Sequence, residues 1–421
     1  MAQLGANDLA AATLGAYLFN LVSYALIGLG SAAAPLIAAE LGRRAHAVRE
    51  VRRSFRMAMW VAGLGAIPVM ILLWQSEQLF LLLGQDPLIA RRAGWFLLVL
   101  IPAVPLAAAA GVMRIVAAAL GRPGWAFLVT GFALIVDVVA NWAFVFGHGV
   151  PALGLVGSAL ANLLSFAGMA LAYGIIFTAD RRLRRYRLFG RWWRVEGSRA
   201  REIVRLGLPI MATWMLEGGL FGAAAILMGL IGVAEMAAHA IALNIAAFAF
   251  QIPFGIAQAA TVRVGLAFGS GDRVWIARAG NAALALGIGI MGVTASIMWM
   301  APHWLVTLYV DPTDPANAPV VALAVRFLAV AAVFQLVDGA QAVGAGVLRG
   351  LQDTRVPMMM ALFGYWIIGF CCSVALGFAT PMRGVGVWWG LAIGLLAVAL
   401  MLGARWKRRE TLQLLPSYPM T

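Results

Sequence analysis

Phe334-Gln-Leu-Val-Asp338-Gly-Ala-Gln341-Ala-Val-Gly-Ala-Gly-Val-Leu-Arg349-Gly-Leu-Gln-Asp353-Thr-Arg355-Val-Pro357 is the stretch on which the reading of this chain turns. It continues an apolar run that begins near Val320, so Asp338 lies about midway along a segment long enough to cross a bilayer. On insertion scales a carboxylate at that depth costs about 2.5 to 3.5 kcal/mol, which calls for a functional reason. Gln335 and Gln341 stand three residues to either side, on the same helical face, and make a polar stripe around the acid. The run closes in a polar turn containing Arg349, Asp353, Thr354 and Arg355, ahead of Pro357.

The rest of the chain has the same character. Hydrophobic residues make up 63% and charged residues 11%, with a mean hydropathy of +0.91. A soluble domain carries about 25% charged residues, so the composition is that of an all-α polytopic membrane protein. A window of about 19 residues gives eleven spans: 9–39, 55–74, 93–119, 125–147, 152–178, 203–232, 237–268, 276–301, 319–348, 356–378 and 384–404. These runs are continuous, whereas the strands of a membrane barrel would alternate in polarity.

The net charge of +14 does not point to nucleic acid, because the basic residues sit in linkers. Alternate loops hold Arg43 to Arg56, Arg114 and Arg122, the arginines from Arg181 to Arg205, Arg263 to Arg278, Arg349 and Arg355, and the Arg405 to Arg409 tail. The opposite loops hold only Arg91, Arg92, Arg326 and Arg383. The excess places the first set, with the C-terminus, in the cytoplasm of a bacterial-type inner membrane. With eleven spans Met1 would then lie outside, with Gln3, Asn7 and Asp8 translocated unaided; this parity leads us to expect a further helix ahead of residue 1.

An internal repeat supports the same expectation. Leu120-Gly-Arg-Pro-Gly-Trp-Ala126 and Leu351-Gln-Asp-Thr-Arg-Val-Pro357 are similar and stand half a chain apart, as do Ala38-Ala-Glu-Leu-Gly42 and Gly265-Leu-Ala-Phe-Gly269. The expected organisation is an N-terminal lobe over 1–180 with five visible spans, a basic cytoplasmic linker over 181–202, a C-terminal lobe over 203–404 with six spans, and a cytoplasmic tail over 405–421.

At this point the residues resemble a known family. The stretch Phe334–Pro357 together with Gly207-Leu-Pro-Ile210, Glu217, Ala237-Ala-His-Ala-Ile-Ala-Leu-Asn244, Pro253-Phe-Gly-Ile-Ala-Gln258, Val262-Arg-Val-Gly265 and Gly271-Asp272 is similar to the multidrug and toxic compound extrusion (MATE) family, in its NorM-like bacterial branch. Leu83-Gly-Gln-Asp-Pro87 and Gly154-Leu-Val-Gly-Ser-Ala159 fit the family's first half. The resemblance implies two six-helix bundles around a central cavity, exporting organic and often cationic compounds in exchange for sodium or protons. The helix expected ahead of residue 1 would be the family's first, so the family's aspartate on that helix has no counterpart in this sequence.

The acids support that reading independently. Of 17 acidic residues, three lie deep in spans: Asp137, Glu217 and Asp338. A buried carboxylate resists charging unless a cation accompanies it, and no span shows an obvious permanent basic partner. We therefore expect Glu217 and Asp338 to form a cation or proton site, with Thr213, Gln335 and Gln341 as neutral oxygen donors if the ion is sodium. A protonated acid in a helix-to-helix hydrogen bond is the competing interpretation. Asp137, four residues before Asn141 on one face, is a candidate proton site or substrate contact, or else a structural polar contact. Trp214, one turn from Glu217, could face an organic cation.

Other features read as structural. His239 packs, and His46, His148 and His303 are scattered; adjacent Cys371 and Cys372 suit a core better than a disulfide. Trp74, Trp95, Trp125, Trp304 and Trp406 read as interface anchors. Gly346 and Gly350 allow close helix packing, and Pro35, Pro68, Pro102, Pro105 and Pro253 are candidate bends. No Walker motif, zinc spacing or Ser/His/Asp set is present, so no enzyme activity and no cofactor beyond the coupling ion are expected. The expected partners are small organic substrates and the bilayer, with no nucleic acid, and the chain is expected to be a monomer. A flippase for a lipid-linked glycan would want arginines in its spans for phosphates, and a membrane-embedded lipid-processing enzyme would want clustered His, Asp or Ser.

Overall fold

A computed structural model describes residues 6–44, 47–148 and 151–416. Met1, Gln3 and His46, which the sequence reading used, lie outside these. In chain order the helices are α1 (Ala6–Gly30), α2 (Ala33–Arg43), α3 (Val48–Trp74), α4 (Ser76–Leu82), α5 (Pro87–Leu100), α6 (Ala103–Ala119), α7 (Gly124–Phe146), α8 (Gly154–Ala179), α9 (Gly197–Ile231) and α10 (Val233–Ser270). They continue as α11 (Arg273–Met300), α12 (Pro302–Thr307), α13 (Ala318–Gly350), α14 (Arg355–Leu362), α15 (Cys371–Phe378) and α16 (Gly384–Lys407). A π-helical segment, Phe363–Phe370, joins α14 to α15. Apolar segments of this length become helices because only then are all backbone groups bonded within the segment.

Among the described residues ten helical stretches are long and apolar enough to cross a membrane, and α5 with α6 makes an eleventh, bent by 56°. That bend sits at Pro102, whose ring removes a helix hydrogen bond and crowds the preceding turn. Pro35 acts similarly at the break between α1 and α2, since it cannot donate to Ser31; there Ala34 N–H bonds the Ser31 carbonyl instead, at 3.0 Å. Loop acids close the helix ends. Asp86 accepts from Leu88 N–H at 2.8 Å and begins α5 with Pro87 behind it, and Asp272 accepts from Trp275 N–H at 2.8 Å to begin α11.

The chain divides into two compact units, Met1–Glu40 with His46–Met211, and Leu41–Ala45 with Ala212–Thr421. The boundary falls inside α9. In the first unit α8 packs on α5, α6 and α7, and α1 lies against α3, α5 and α6. Of the stretch 181–202, read above as a linker, residues 197–202 begin α9 and residues 181–196 are fastened to the start of α3. Arg52 donates to the Tyr186 carbonyl, Arg56 to that of Arg191 and Trp60 to that of Trp192, each at 3.1 Å. Arg53 and Arg56 both pair with Glu196. Arg199, at 8% side-chain exposure, then joins Glu40, Glu50 and Glu202 at 3.2, 2.9 and 2.8 Å. Nearby, Asp180 follows α8. Burial works against its charge, yet hydrogen bonds from Trp125, Arg182 and Leu183 and the charge of Arg122 hold its carboxyl below the usual carboxylate range.

In the second unit α13 is the central helix, packed on α10, α11 and α16. Its glycines make this possible. A Cβ on Gly346 would collide with the Ala257 backbone of α10, and one on Gly350 with Val264, while Thr261 Oγ1 donates to the Gly346 carbonyl at 2.9 Å. Two sequence expectations change here. Trp406 is not an interface anchor but is buried, 3% exposed, with its ring against Gly280 and its N–H on Asn281 at 2.9 Å. Cys371 is exposed and Cys372 half-buried, so neither is a core residue.

Replacing Gly346 by Ala is expected to destabilise the purified protein by about 1 to 3 kcal/mol, the usual range for overpacking, read as a lower thermal midpoint in detergent. Gly289→Ala, at a position with open space around it, should leave the midpoint unchanged. Arg199→Met should destabilise the protein by about 2 kcal/mol, read as a lower midpoint in the same measurement, less than for a fully buried pair because its partners are partly exposed. An unchanged midpoint in Arg199→Met would mean that the three glutamates are adequately solvated without it.

Candidate functional site

Asp338 occupies the middle of α13 and is 3% exposed, as is Gln341, while Gln335 is fully buried. Because Gln341 follows Asp338 by three residues, the helix carries its amide over the acid, with Nε2 at 3.4 Å from Asp338 Oδ1. Glu217 comes from α9 and is half-buried. Its Oε1 accepts from the same Gln341 Nε2 at 3.0 Å. One amide nitrogen therefore serves two carboxylates contributed by two helices.

The other end of that amide is also held. The Tyr365 hydroxyl donates to Gln341 Oε1 at 2.7 Å, and Tyr365 is fully buried. Tyr365 lies on the π-helical segment, where an extra residue in the turn changes the direction in which side chains leave the helix. Its neighbour Trp366 donates to the Leu216 carbonyl at 3.2 Å and so fastens α9 next to Glu217. With its oxygen taken by the phenol, Gln341 can turn only donors toward the acids. In this arrangement Gln341 presents its amide nitrogen to the acids and its oxygen to Tyr365, and so orients the pair.

Arg349 stands in the last turn of α13, at the end of the span. Read from sequence as part of a polar turn, it lies within α13 and folds back along the helix, donating to the Ala345 carbonyl at 3.2 Å. Its charge acts on Glu217 and Tyr365 from within the same unit. Among the described residues Arg349 makes no ion pair with either carboxylate, and its influence on Glu217 is through space.

The remaining candidates divide. Gln335 donates to the Ala246 carbonyl of α10 at 2.8 Å, so it is turned toward α10 and its Oε1 is buried without a hydrogen-bond partner. Thr213 is half-buried one turn before Glu217. Trp214 packs on Phe254 with ring centres 5.9 Å apart, and Phe254 on Phe250 at 6.0 Å, an aromatic group on α9 and α10. Asp137 belongs to the other unit and is half-buried on α7. Ser165 of α8 donates to its Oδ1 at 3.4 Å. Asn141 donates to the main-chain carbonyl of Asp137 at 2.9 Å, not to its carboxylate. His239 packs as expected, with its ring 5.5 Å from that of Trp388.

Tyr365 and Trp366 escaped the sequence reading, and Arg349 entered it only as a loop residue. A tyrosine inside Phe363-Gly-Tyr-Trp-Ile-Ile-Gly-Phe370 is a polar handle in an apolar span and could have been flagged on that ground. Chemically, two carboxylates sharing one donor make a focus of negative charge that a proton or a small cation can neutralise.

The MatE family model matches residues 1–143 and 209–374. The chain is 46% identical over 415 residues to a probable multidrug resistance protein NorM of Mesorhizobium japonicum, covering 97% of this chain and 88% of that protein. It is 38% identical over 407 residues to the multidrug resistance protein NorM of Burkholderia vietnamiensis, covering 96% and 87%. Among solved structures, MATE in complex with MaL6 is similar with a TM-score of 0.87 at 19% identity, over 98% and 90% of the two chains. The eukaryotic MATE transporter AtDTX14 gives 0.84 at 22%, over 96% and 88%. At these identities the structures bear on the fold alone, and they agree with the all-α reading of the composition. The family model and the NorM relatives carry the assignment further: this chain belongs to the MATE family of membrane transporters.

Proposed function

We propose that this protein exports organic, predominantly cationic drugs or toxic compounds across a bacterial inner membrane, in exchange for sodium ions or protons. The observation that carries the reading is the pair Glu217 and Asp338, held by one amide inside membrane-spanning helices. The names of the NorM relatives support the cargo class. The basic loops support a cytoplasmic C-terminus.

In this reading the pair alternates between two neutralised states. Protons or sodium ions arriving from outside reduce the negative charge of the pair, and this favours release of the exported compound. Once the ion leaves on the cytoplasmic side, the negative charge returns and favours loading of an organic cation. Coupling follows because the two cargoes compete for one set of carboxylates, directly or through the state of α9 and α13. Gln341 keeps both carboxylates in one orientation throughout, and Tyr365 keeps the amide from turning its oxygen toward them. Arg349 adds a fixed positive charge, which lowers the attraction for a second cation. Asp137 with Ser165 is the corresponding candidate in the first unit. The protein acts as a monomer.

The first test is efflux of a fluorescent organic cation from drug-sensitive cells at matched expression. Asp338→Asn and Glu217→Gln should each lower efflux by about tenfold or more, within the usual range of coupling energies. Collapsing the sodium and proton gradients separately should abolish efflux in one case only and so name the ion. Efflux by both variants equal to that of the unmutated chain would remove the pair from the mechanism.

Tyr365→Phe tests the orienting role of the phenol. It leaves the buried Gln341 oxygen unpaired, a loss of about 1 to 3 kcal/mol, and frees the amide to turn. The ion concentration giving half-maximal efflux should therefore shift by about fivefold or more while the protein remains folded. An ion dependence identical to that of the unmutated chain would show that the hydroxyl merely packs.

A further inference from the structure

We propose that the groove between α10 and α11 binds one anionic phospholipid of the cytoplasmic leaflet. This rests on the membrane topology and not on the export reading, so the two can fail independently.

The two helices are joined by a short turn. Gly271 adopts a left-handed conformation at φ 75°, and Asp272 caps α11. From that turn the helices run back into the membrane side by side. Arg263 lies seven residues before the end of α10 and Arg278 five residues after the start of α11. At 1.5 Å per residue both sit about 8 to 10 Å below the turn, at one depth. That is the depth of the boundary between headgroups and acyl chains. Both arginines line the same open groove of about 420 Å³, and both are exposed. Among the described residues neither takes part in an ion pair. The acid in the connecting turn, Asp272, is already engaged with the Trp275 N–H.

Below the arginines the groove changes character. Ala259, Ala260, Ala279, Ala282 and Ala283 line it, and their small side chains leave a trough between the helices. Ile256 and Leu286 line its deeper part and Trp275 the end near the turn. Two guanidinium forks above an apolar trough match a phosphate above an acyl chain, since arginine binds phosphate oxygens in a planar, paired fashion. A free phosphate would use the arginines and leave the trough unfilled. Arginines that serve only as a topology signal need no shared groove; Arg273, in the first turn of α11, lies outside it.

The test is native mass spectrometry of the purified full chain titrated with phosphatidylglycerol or phosphatidylcholine. The expected result is one phosphatidylglycerol bound in preference to phosphatidylcholine, with no displacement by excess inorganic phosphate. In Arg263→Ala/Arg278→Ala the affinity for phosphatidylglycerol should fall about 25-fold, at about fivefold for each basic residue near an anionic surface. Ala282→Trp, at an exposed position, should weaken binding by filling the trough with both arginines intact, which keeps the test valid if the double variant fails to fold. Equal affinity for the two lipids, displacement by inorganic phosphate, or unchanged binding in the folded variants would each overturn the proposal.

Discussion

A carboxylate among apolar helices has to be answered by something, and in this protein much of the second unit is arranged around the answer. One amide, that of Gln341, supplies donors to both Glu217 and Asp338. Its carbonyl is occupied by the Tyr365 hydroxyl, so the direction in which the amide faces is determined by a third helix. Lost hydrogen bonds in such a setting are expensive because neither lipid nor packed side chains offer a replacement. The close approach of α13 to α10 at Gly346 and Gly350, the π-helical segment that aims Tyr365, and the Trp366 contact to α9 all help to keep that amide in place.

The arrangement also leaves a buried pair of acids with charge that a cation can answer. A carboxylate satisfied permanently by an adjacent arginine would have little attraction left for a cation. Here the permanent donor is a neutral amide, which orients the acids without cancelling their charge. Arg349, bonded to the Ala345 carbonyl, acts on Glu217 at longer range.

The first unit uses arginine in the opposite way. Arg53, Arg56 and Arg199 are placed against Glu50, Glu196, Glu40 and Glu202, and the guanidinium groups of Arg52 and Arg56 bond carbonyls of the stretch 181–196. Their planar, many-donor geometry suits them to several acceptors at once. A segment whose charge marks it as a loop is in this way fastened along α3. The same residue type that reports topology in the sequence holds a local structure together. Trp406 carries a parallel lesson: its position at a span end suggested the lipid interface, while the small Gly280 opposite it makes room for the ring inside.

The amino-acid sequence by itself determined that the chain is a bundle of membrane-spanning helices, approximately where each span lies, and that Asp137, Glu217 and Asp338 are the acids needing explanation. Those conclusions follow from local quantities, namely the length of apolar runs, the charge of the loops and the free energy of placing a carboxylate in hydrocarbon. Helical spacing made Gln341 and Asp338 neighbours for the same reason. Only the tertiary structure decided which end of the Gln341 amide faces the acids, that Gln335 turns to Ala246, that Asp137 meets Ser165, and that Tyr365 and Arg349 belong to the site. Each of these depends on side chains from helices far apart in the chain, and on an extra residue in one helical turn that no spacing rule reveals. Partners that meet across helices are selected by packing, and packing is not encoded in any single stretch.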